Sequence, residues 1–256
     1  MYRPRIIPVL LVKNNALVKT VQFKNERYIG DPINAVRIFN AFRADEIIIL
    51  DIDASRNDGI ISLSLVKDVG EEANMPFSVG GGIRTLKQIE ERIGCGSERV
   101  ILNTIVFDNP DVIKRAVLEF GSSTLAACLD IKKDIFGREC IYTHGGTRKI
   151  SGNVVEHAKR IEQLGIGEII VQSIVKDGKM AGYDIPLIKK IAESVSIPVT
   201  ALGGAASLKS MKELYSVVKV NGVAAGSMFV YHGERRGILV NYPKKEDIME
   251  SFTHYL

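Results

Sequence analysis

Short apolar runs alternate with stretches of helical period along the whole chain. The apolar runs fall at residues 5–13, 46–51, 76–79, 99–103, 124–131, 168–172, 198–202 and 222–225. They are nearly continuous rather than alternating, the pattern of parallel strands buried on both faces. The stretches between them carry helix-start signals. Asp31-Pro32 and Asn109-Pro110 each offer an N-cap followed by proline. Thr85, Asp184 and Ser207 are further cap candidates, and Gly121 and Gly165 stand where helices should stop. Eight strands, each followed by a helix or connector, predict an α/β chain folded as a (β/α)8 TIM barrel.

The chain also repeats itself. Phe77-Ser78-Val79-Gly80-Gly81-Gly82 is echoed by Thr200-Ala201-Leu202-Gly203-Gly204-Ala205, and Val100–Thr104 by Val223–Ser227. Glu46–Asp51 matches Glu168–Ser173, and Leu10–Lys13 matches Leu129–Lys132. These collinear echoes predict one barrel domain over residues 1–256, made of homologous half-barrels of about 1–120 and 121–256. A doubly wound open sheet gives no reason for a two-fold repeat of four units. Residues 137–150 break the rhythm, and Cys140–Thr143 ahead of Gly145-Gly146 predicts a hairpin or lid over the barrel mouth. Residues 14–30 read as a long first loop, and residues from 231 onward as a loop leading to a last helix.

Composition narrows the partners. Of 256 residues, 46% are hydrophobic, enough for a full core. The 34 basic and 30 acidic side chains leave a net charge of +4 without a basic stripe, which favours small anions over nucleic acid. Three cysteines, Cys95, Cys128 and Cys140, form no metal spacing or disulfide framework. His144, His157, His232 and His254 show no ligand spacing either, and His144 alone is placed to reach a substrate from the hairpin. No metal or cofactor is expected. The N-terminus lacks a signal-peptide pattern and no apolar run approaches the roughly 20 residues of a membrane helix. The expectation is a soluble, cytoplasmic protein.

Working residues of such barrels lie at the C-terminal ends of the strands. By that rule Leu11, Asp51, Asn103, Asp130 and Ser173 stand at the mouth, with Asp177 in the loop after strand six. Asp51 and Asp130 each end an apolar run, where a carboxylate either caps or pairs at the rim or acts as a general acid/base of raised pKa. The glycine loops are more specific. Gly80-Gly81-Gly82 with Asn103-Thr104, and Gly203-Gly204 with Gly226-Ser227, pair backbone amides with a hydroxyl in the manner of phosphate cradles. Two cradles suggest a substrate with a phosphate at each end. Lys19 in the first loop is either a flexible clamp on that anion or a solvated charge. At the opposite end, Arg5, Glu46, Arg99 and Glu168 precede or begin apolar runs. They can form a salt-bridged plug across the N-terminal mouth or serve only to solubilise the rim.

Together these residues resemble the cyclase subunit of imidazole glycerol phosphate synthase. The motifs carrying the resemblance are Arg5-Ile6-Ile7, Leu50-Asp51-Ile52, Val79–Ile83, Leu102-Asn103-Thr104 and Ser173–Gly178 followed by Gly182-Tyr183-Asp184. The resemblance implies that a separate glutaminase docks at the N-terminal face and that its ammonia crosses the barrel to a bis-phosphorylated substrate. It implies that Gly82, Asn103 and Thr104 hold one phosphate, and Asp177, Gly178, Gly203, Gly226 and Ser227 the other. Lys19 matches the family's loop lysine, Asp51 and Ser173 become substrate contacts, and Arg5, Glu46, Arg99 and Glu168 become an ammonia gate.

One departure stands out. The family pairs two catalytic aspartates, on strands one and five. Asp130 matches the second, but Leu11 stands at the first. With Asn14-Asn15, the segment Phe229–Gly233 and the Asn241-Tyr242-Pro243 tail, the pattern is similar to a paralogous branch, the amidination-associated barrels of bacterial surface-polysaccharide synthesis. That implies ammonia supply for an acetamidino sugar, a nucleotide-sugar substrate and a ligase-like third protein. The alternatives are the histidine-pathway cyclase and a non-catalytic scaffold that activates the glutaminase.

Overall fold

The computed structural model describes residues 3–252. Eight strands close into a parallel barrel: β1 (Arg5–Lys13), β2 (Ile47–Asp51), β3 (Phe77–Gly80), β4 (Arg99–Leu102), β5 (Leu125–Lys133), β6 (Glu168–Ser173), β7 (Val199–Leu202) and β8 (Gly222–Ala225). Each pairs with its neighbours in sequence order, and β8 pairs with β1 to complete the ring. The helices outside are α1 (Pro32–Phe42), α2 (Leu63–Glu72), α3 (Leu86–Gly94), α4 (Thr104–Asp108), α5 (Pro110–Phe120), α6 (Val154–Gln163), α7 (Ile185–Ala192), α8 (Leu208–Val217) and α9 (Lys245–Phe252). No helix among the described residues is long and apolar enough to cross a membrane.

The starts follow local chemistry. Asp31 accepts a hydrogen bond from Asn34 N at 2.8 Å, and Thr85 makes a capping box with Gln88. Asn109 makes no side-chain cap, because the short α4 ends on it before α5 begins. Gly121 and Gly165 end their helices at positive φ, as glycine allows.

The strands separate two apolar regions. Residues facing outward, such as Leu10, Ile49 and Val171, pack under the helices, while Ile7, Ile48, Ile101, Ile170 and Ala224 line the barrel interior. The interior side chains recur two apart along each strand, as the pleat requires.

Two segments differ from the sequence expectation. Residues 14–30 form not a loose loop but a hairpin of strands Ala16–Val21 and Lys24–Gly30, paired to the end of β1. After β8 the chain makes a 3-10 turn and a two-residue ribbon, Tyr231–His232 with Gly237–Ile238, before α9. Tyr242 from this tail stacks on Phe229 and donates to Ile6 O at 3.0 Å, tying the tail to β1.

The lid over 137–150 is a hairpin continuing β5, whose residues 130–133 pair with Glu139–Thr143. Each half of the chain thus opens with a nine-residue strand that outruns the barrel and folds back on itself. Leu11, paired with Val18, and Asp130, paired with Tyr142, stand at the corresponding points of departure.

Candidate active site at the barrel mouth

A cavity of about 340 Å³ occupies the C-terminal mouth. Leu11, Lys19, Asp51, Gly82, Asn103, Thr104, Asp130, Asp177, Gly226 and Ser227 all line it. A smaller adjoining recess is lined by Asp177, Gly178, Gly203, Gly226 and Ser227. Both residue sets reach the one opening, and Asp177, Gly226 and Ser227 of the second set line the cavity and the recess alike. His144 also lines the cavity; its backbone N donates to Thr104 Oγ1 at 3.3 Å, which ties the lid to the start of α4. His254 lies outside the described residues.

Glycine is required in both cradles. Gly82 has φ +67°, and a Cβ there would come within 2.2 Å of Gly59 O. Gly203 has φ +95°, and a Cβ there would come within 2.7 Å of Ser173 O.

Asp130 sits at the centre. Asn103 Nδ2 donates to its Oδ2 at 3.3 Å and the Cys128 thiol to its Oδ1 at 3.4 Å. Burial pushes its pKa up to about 7, opposed by the Cys128 hydrogen bond and reinforced by the charge of Asp177. Asn103 also donates to Cys128 O at 2.9 Å, so its amide orients Asp130 and ties β4 to β5. Asp51 Oδ1 accepts from the N–H groups of Asp53 and Ala54, each at 3.0 Å. It shapes the loop after β2 as well as lining the cavity, and burial raises its pKa against those two bonds.

Lys19 departs from the expected flexible clamp. On the first strand of the hairpin it is 3% exposed, and its ammonium donates to Val9 O in the middle of β1. Burial lowers its pKa to about 8, and nearby Asp177 pulls it back up. Asp177 is itself raised by burial, against the charge of Lys19 and hydrogen bonds from Phe23 N, Thr20 and Gln172.

Ser173 is the site residue that the structure moves. It is buried and absent from the cavity lining, because Val171 and Ser173 share the outward face of β6. Gln172 lines the cavity in its place. The two-residue period of β6 was the signal that could have found it.

At the far end the four charged residues close into one ring. Arg5 bonds Glu46 through one terminal nitrogen and Glu168 through the other, the latter at 2.6 Å. Arg99 reaches Glu46 at 3.2 Å and Glu168 at 3.7 Å. Ser78 donates to Glu46 at 3.0 Å, and Thr200 donates to Glu168. These two hydroxyls were not anticipated; each is a lone polar residue inside a short apolar strand. Both carboxylates are about 5% exposed, so their charges are tolerable only because each meets two guanidinium groups. Between ring and mouth the interior wall is apolar, with Ile7, Val9, Ile48, Ile101 and Ile170.

A closed parallel barrel with a cavity and a shielded carboxyl at its C-terminal mouth has the architecture of a small-molecule enzyme. Residues 5–236 match the family described as histidine biosynthesis protein. A Leptospira borgpetersenii protein provisionally named imidazole glycerol phosphate synthase subunit HisF is 44% identical over 96% of this chain and 98% of its own. A Pseudomonas aeruginosa protein provisionally named subunit hisF2 is 42% identical over 95% of this chain and 97% of its own. The imidazole glycerol phosphate synthase subunit HisF of Petrotoga mobilis is 38% identical over 90% and 92%. The chain belongs to the histidine biosynthesis protein family, as a homologue of the imidazole glycerol phosphate synthase HisF subunits.

Proposed function

We propose that the protein is the synthase subunit of a glutamine amidotransferase, taking ammonia from a separate glutaminase docked over Arg5, Glu46, Arg99 and Glu168. Its product serves acetamidino-sugar synthesis rather than closure of an imidazole ring. The observation that carries the second statement is Leu11. It lines the cavity at the point corresponding to Asp130 in the other half, and its side chain packs on the apolar wall. Leucine transfers no proton, and a positioned acid or base contributes about 10²–10⁴-fold to rate.

The dry wall supports ammonia passage, since an apolar interior admits neutral NH3 and rejects ammonium. Gly82, Asn103 and Thr104 then face one phosphate, and Asp177, Gly178, Gly203, Gly226 and Ser227 the other, or the pyrophosphate of a nucleotide sugar. Lys19 and Asp51 contact the same ligand. A ligase-like third protein completes the amidination. A second reading, the histidine-pathway cyclase, has one observation in its favour. Lys19, with its pKa lowered to about 8, is another group in the mouth able to release a proton near neutrality.

Complementation of a cyclase-deficient histidine auxotroph separates the two. Weak or absent growth with wild type, and ammonia-dependent cyclase activity raised by Leu11→Asp, are expected. Wild-type turnover matching that of two-aspartate family members would overturn the amidination reading. Co-purification with a glutaminase, lost when the ring charges are reversed, is the test of the docking face.

A further inference from the structure

We infer that Arg56, from the loop after β2, is the cationic contact of the first phosphate cradle, beside Gly82, Asn103 and Thr104. The inference deepens, and rests on, the two-cradle reading of the mouth above.

Gly82, Asn103 and Thr104 offer a phosphate only neutral donors, whereas a phosphate monoester carries a charge of about −1.5 to −2 at neutral pH. Lys19, Arg56 and Arg84 bring positive charge to the cavity lining. Lys19 belongs to the second cradle, where its ammonium lies against Gly226 and its charge meets that of Asp177. Arg84 is engaged by Asp58, donating to its backbone oxygen at 3.1 Å and to its Oδ1 at 3.3 Å. Arg56 is held differently. Its Nη2 donates to Gly145 O of the lid, while its Nη1 stands 4.0 Å from Asp53, which has a closer partner in Lys13 at 3.1 Å. Asp51 accepts from two backbone N–H groups, and Asp108 pairs with Arg148 at 3.2 Å. Among the described residues Nη1 of Arg56 therefore has no acceptor within hydrogen-bonding distance.

Packing brings this guanidinium to the cradle. The loop that carries Arg56 wraps Gly82, where an added Cβ would meet Gly59 O and the Ala54 side chain. On the other side, the Gly145 carbonyl that Arg56 holds follows His144, whose backbone N donates to Thr104 Oγ1. Arg56 thus spans from the loop against Gly82 to the lid segment tied to Thr104, and Arg56, Gly82, Thr104, His144 and Gly145 all line one cavity. A guanidinium presents its N–H groups in a fixed planar fork, so Nη2 keeps the lid carbonyl while Nη1 turns to a phosphate oxygen. One side chain then brings charge to the anion and holds the lid beside it. A lysine would bring the charge without the fork.

The test is NMR of the whole protein labelled with nitrogen-15, titrated with sodium phosphate against sodium chloride at equal ionic strength. The Arg56 Nε–H signal is identified by its absence in Arg56→Gln, and independently in Arg56→Lys should the first misfold. The backbone amides of Thr104 and Ser227 report the two cradles. A saturable shift of Arg56 and Thr104 at one common affinity, by phosphate alone, is expected. Arg56→Gln should weaken phosphate at Thr104 by about tenfold or more and Arg56→Lys by less, with the affinity at Ser227 unchanged in both. An Arg56 signal that does not follow Thr104, or an affinity at Thr104 unchanged in the variants, would overturn the Arg56 assignment and leave the cradle standing. Saturation at neither amide would overturn the two-cradle reading and the assignment with it.

Discussion

Replacing Asp130 by asparagine should stabilise the protein, increasingly so as the pH rises. The carboxyl titrates at about 7 in the fold against an ordinary 3.8, a difference of about three units caused mainly by burial. Each unit is worth about 1.4 kcal/mol, so the folded state bears up to about 4 kcal/mol at pH values where the group is ionised. The sign follows from proton binding. Between the two values the folded protein holds the proton more tightly than the unfolded chain does, so stability falls as pH rises through this window. The penalty is absent below about pH 4 and complete above about pH 7. Asparagine has no charge to desolvate and still offers Asn103 an acceptor. Urea unfolding of both proteins at acid, neutral and mildly alkaline pH should therefore give curves that nearly coincide at the acid end and separate by about 2–4 kcal/mol at the alkaline end. A difference independent of pH, or a variant less stable above neutrality, would refute the claim that desolvation governs this carboxyl.

Glu46→Gln removes the charge that meets both Arg5 and Arg99 in the ring. It should cost about 2 kcal/mol in urea unfolding, because Arg5 and Arg99 are left to share the single charge of Glu168; a neutral outcome would show that the Glu46 charge contributes nothing to stability. Gly82→Ala should destabilise by about 2 kcal/mol or more, from positive φ and the approach to Gly59 O, and melting by circular dichroism checks it. Thr104→Val and Ser227→Ala should each weaken a bis-phosphate ligand by about 1 kcal/mol, roughly fivefold, in isothermal titration. Unchanged affinity in both would remove the hydroxyls from the proposed cradles.

Much of this was legible because the barrel repeats one local rule. Arg5, Glu46, Arg99 and Glu168 occupy equivalent places at strand starts, and the pleat brings equivalent places together at one mouth. The glycine loops were legible for the same reason at the other mouth. The first hairpin was missed although half of its signal was present. Asn14 and Asn15 both adopt positive φ, the conformation of a two-residue hairpin turn for which asparagine is suited. The second turn, at Gln22-Phe23, also has both residues at positive φ, with no small residue to announce it. Phe23 packs there with Ile174, Tyr142 and Cys140, so contacts between the first hairpin, the lid and the loop after β6 hold a backbone that local propensity disfavours. No single-segment pattern contains that information. Lys19 is buried as a consequence, since the hairpin carries it inward.

On the proposed reading Leu11 stands where a paired site carries its second carboxylate, and the difference goes beyond one group. In a paired site, repulsion between two carboxylates raises one pKa and lowers the other, so that acid and base are present together in one encounter. Here burial is the main cause that raises Asp130, with the charge of Asp177 adding to it, and the corresponding corner is apolar. With a pKa of about 7, Asp130 is protonated in roughly half of the molecules at neutral pH and can serve as an acid in one and a base in another. It cannot be both in the same step. Ring closure with elimination needs proton delivery and removal in one bound complex, whereas addition of ammonia to an activated carbon needs only one proton accepted. A lone carboxyl of this pKa suits the second chemistry. The same argument explains why Lys19 decides between the two readings. If Lys19→Met left the rate and its pH profile unchanged apart from ligand affinity, the lysine would be excluded as the proton-transfer partner of Asp130, as the amidination reading expects. Loss of a limb near pH 8 from the profile would make the lysine the missing partner and return the barrel to cyclisation.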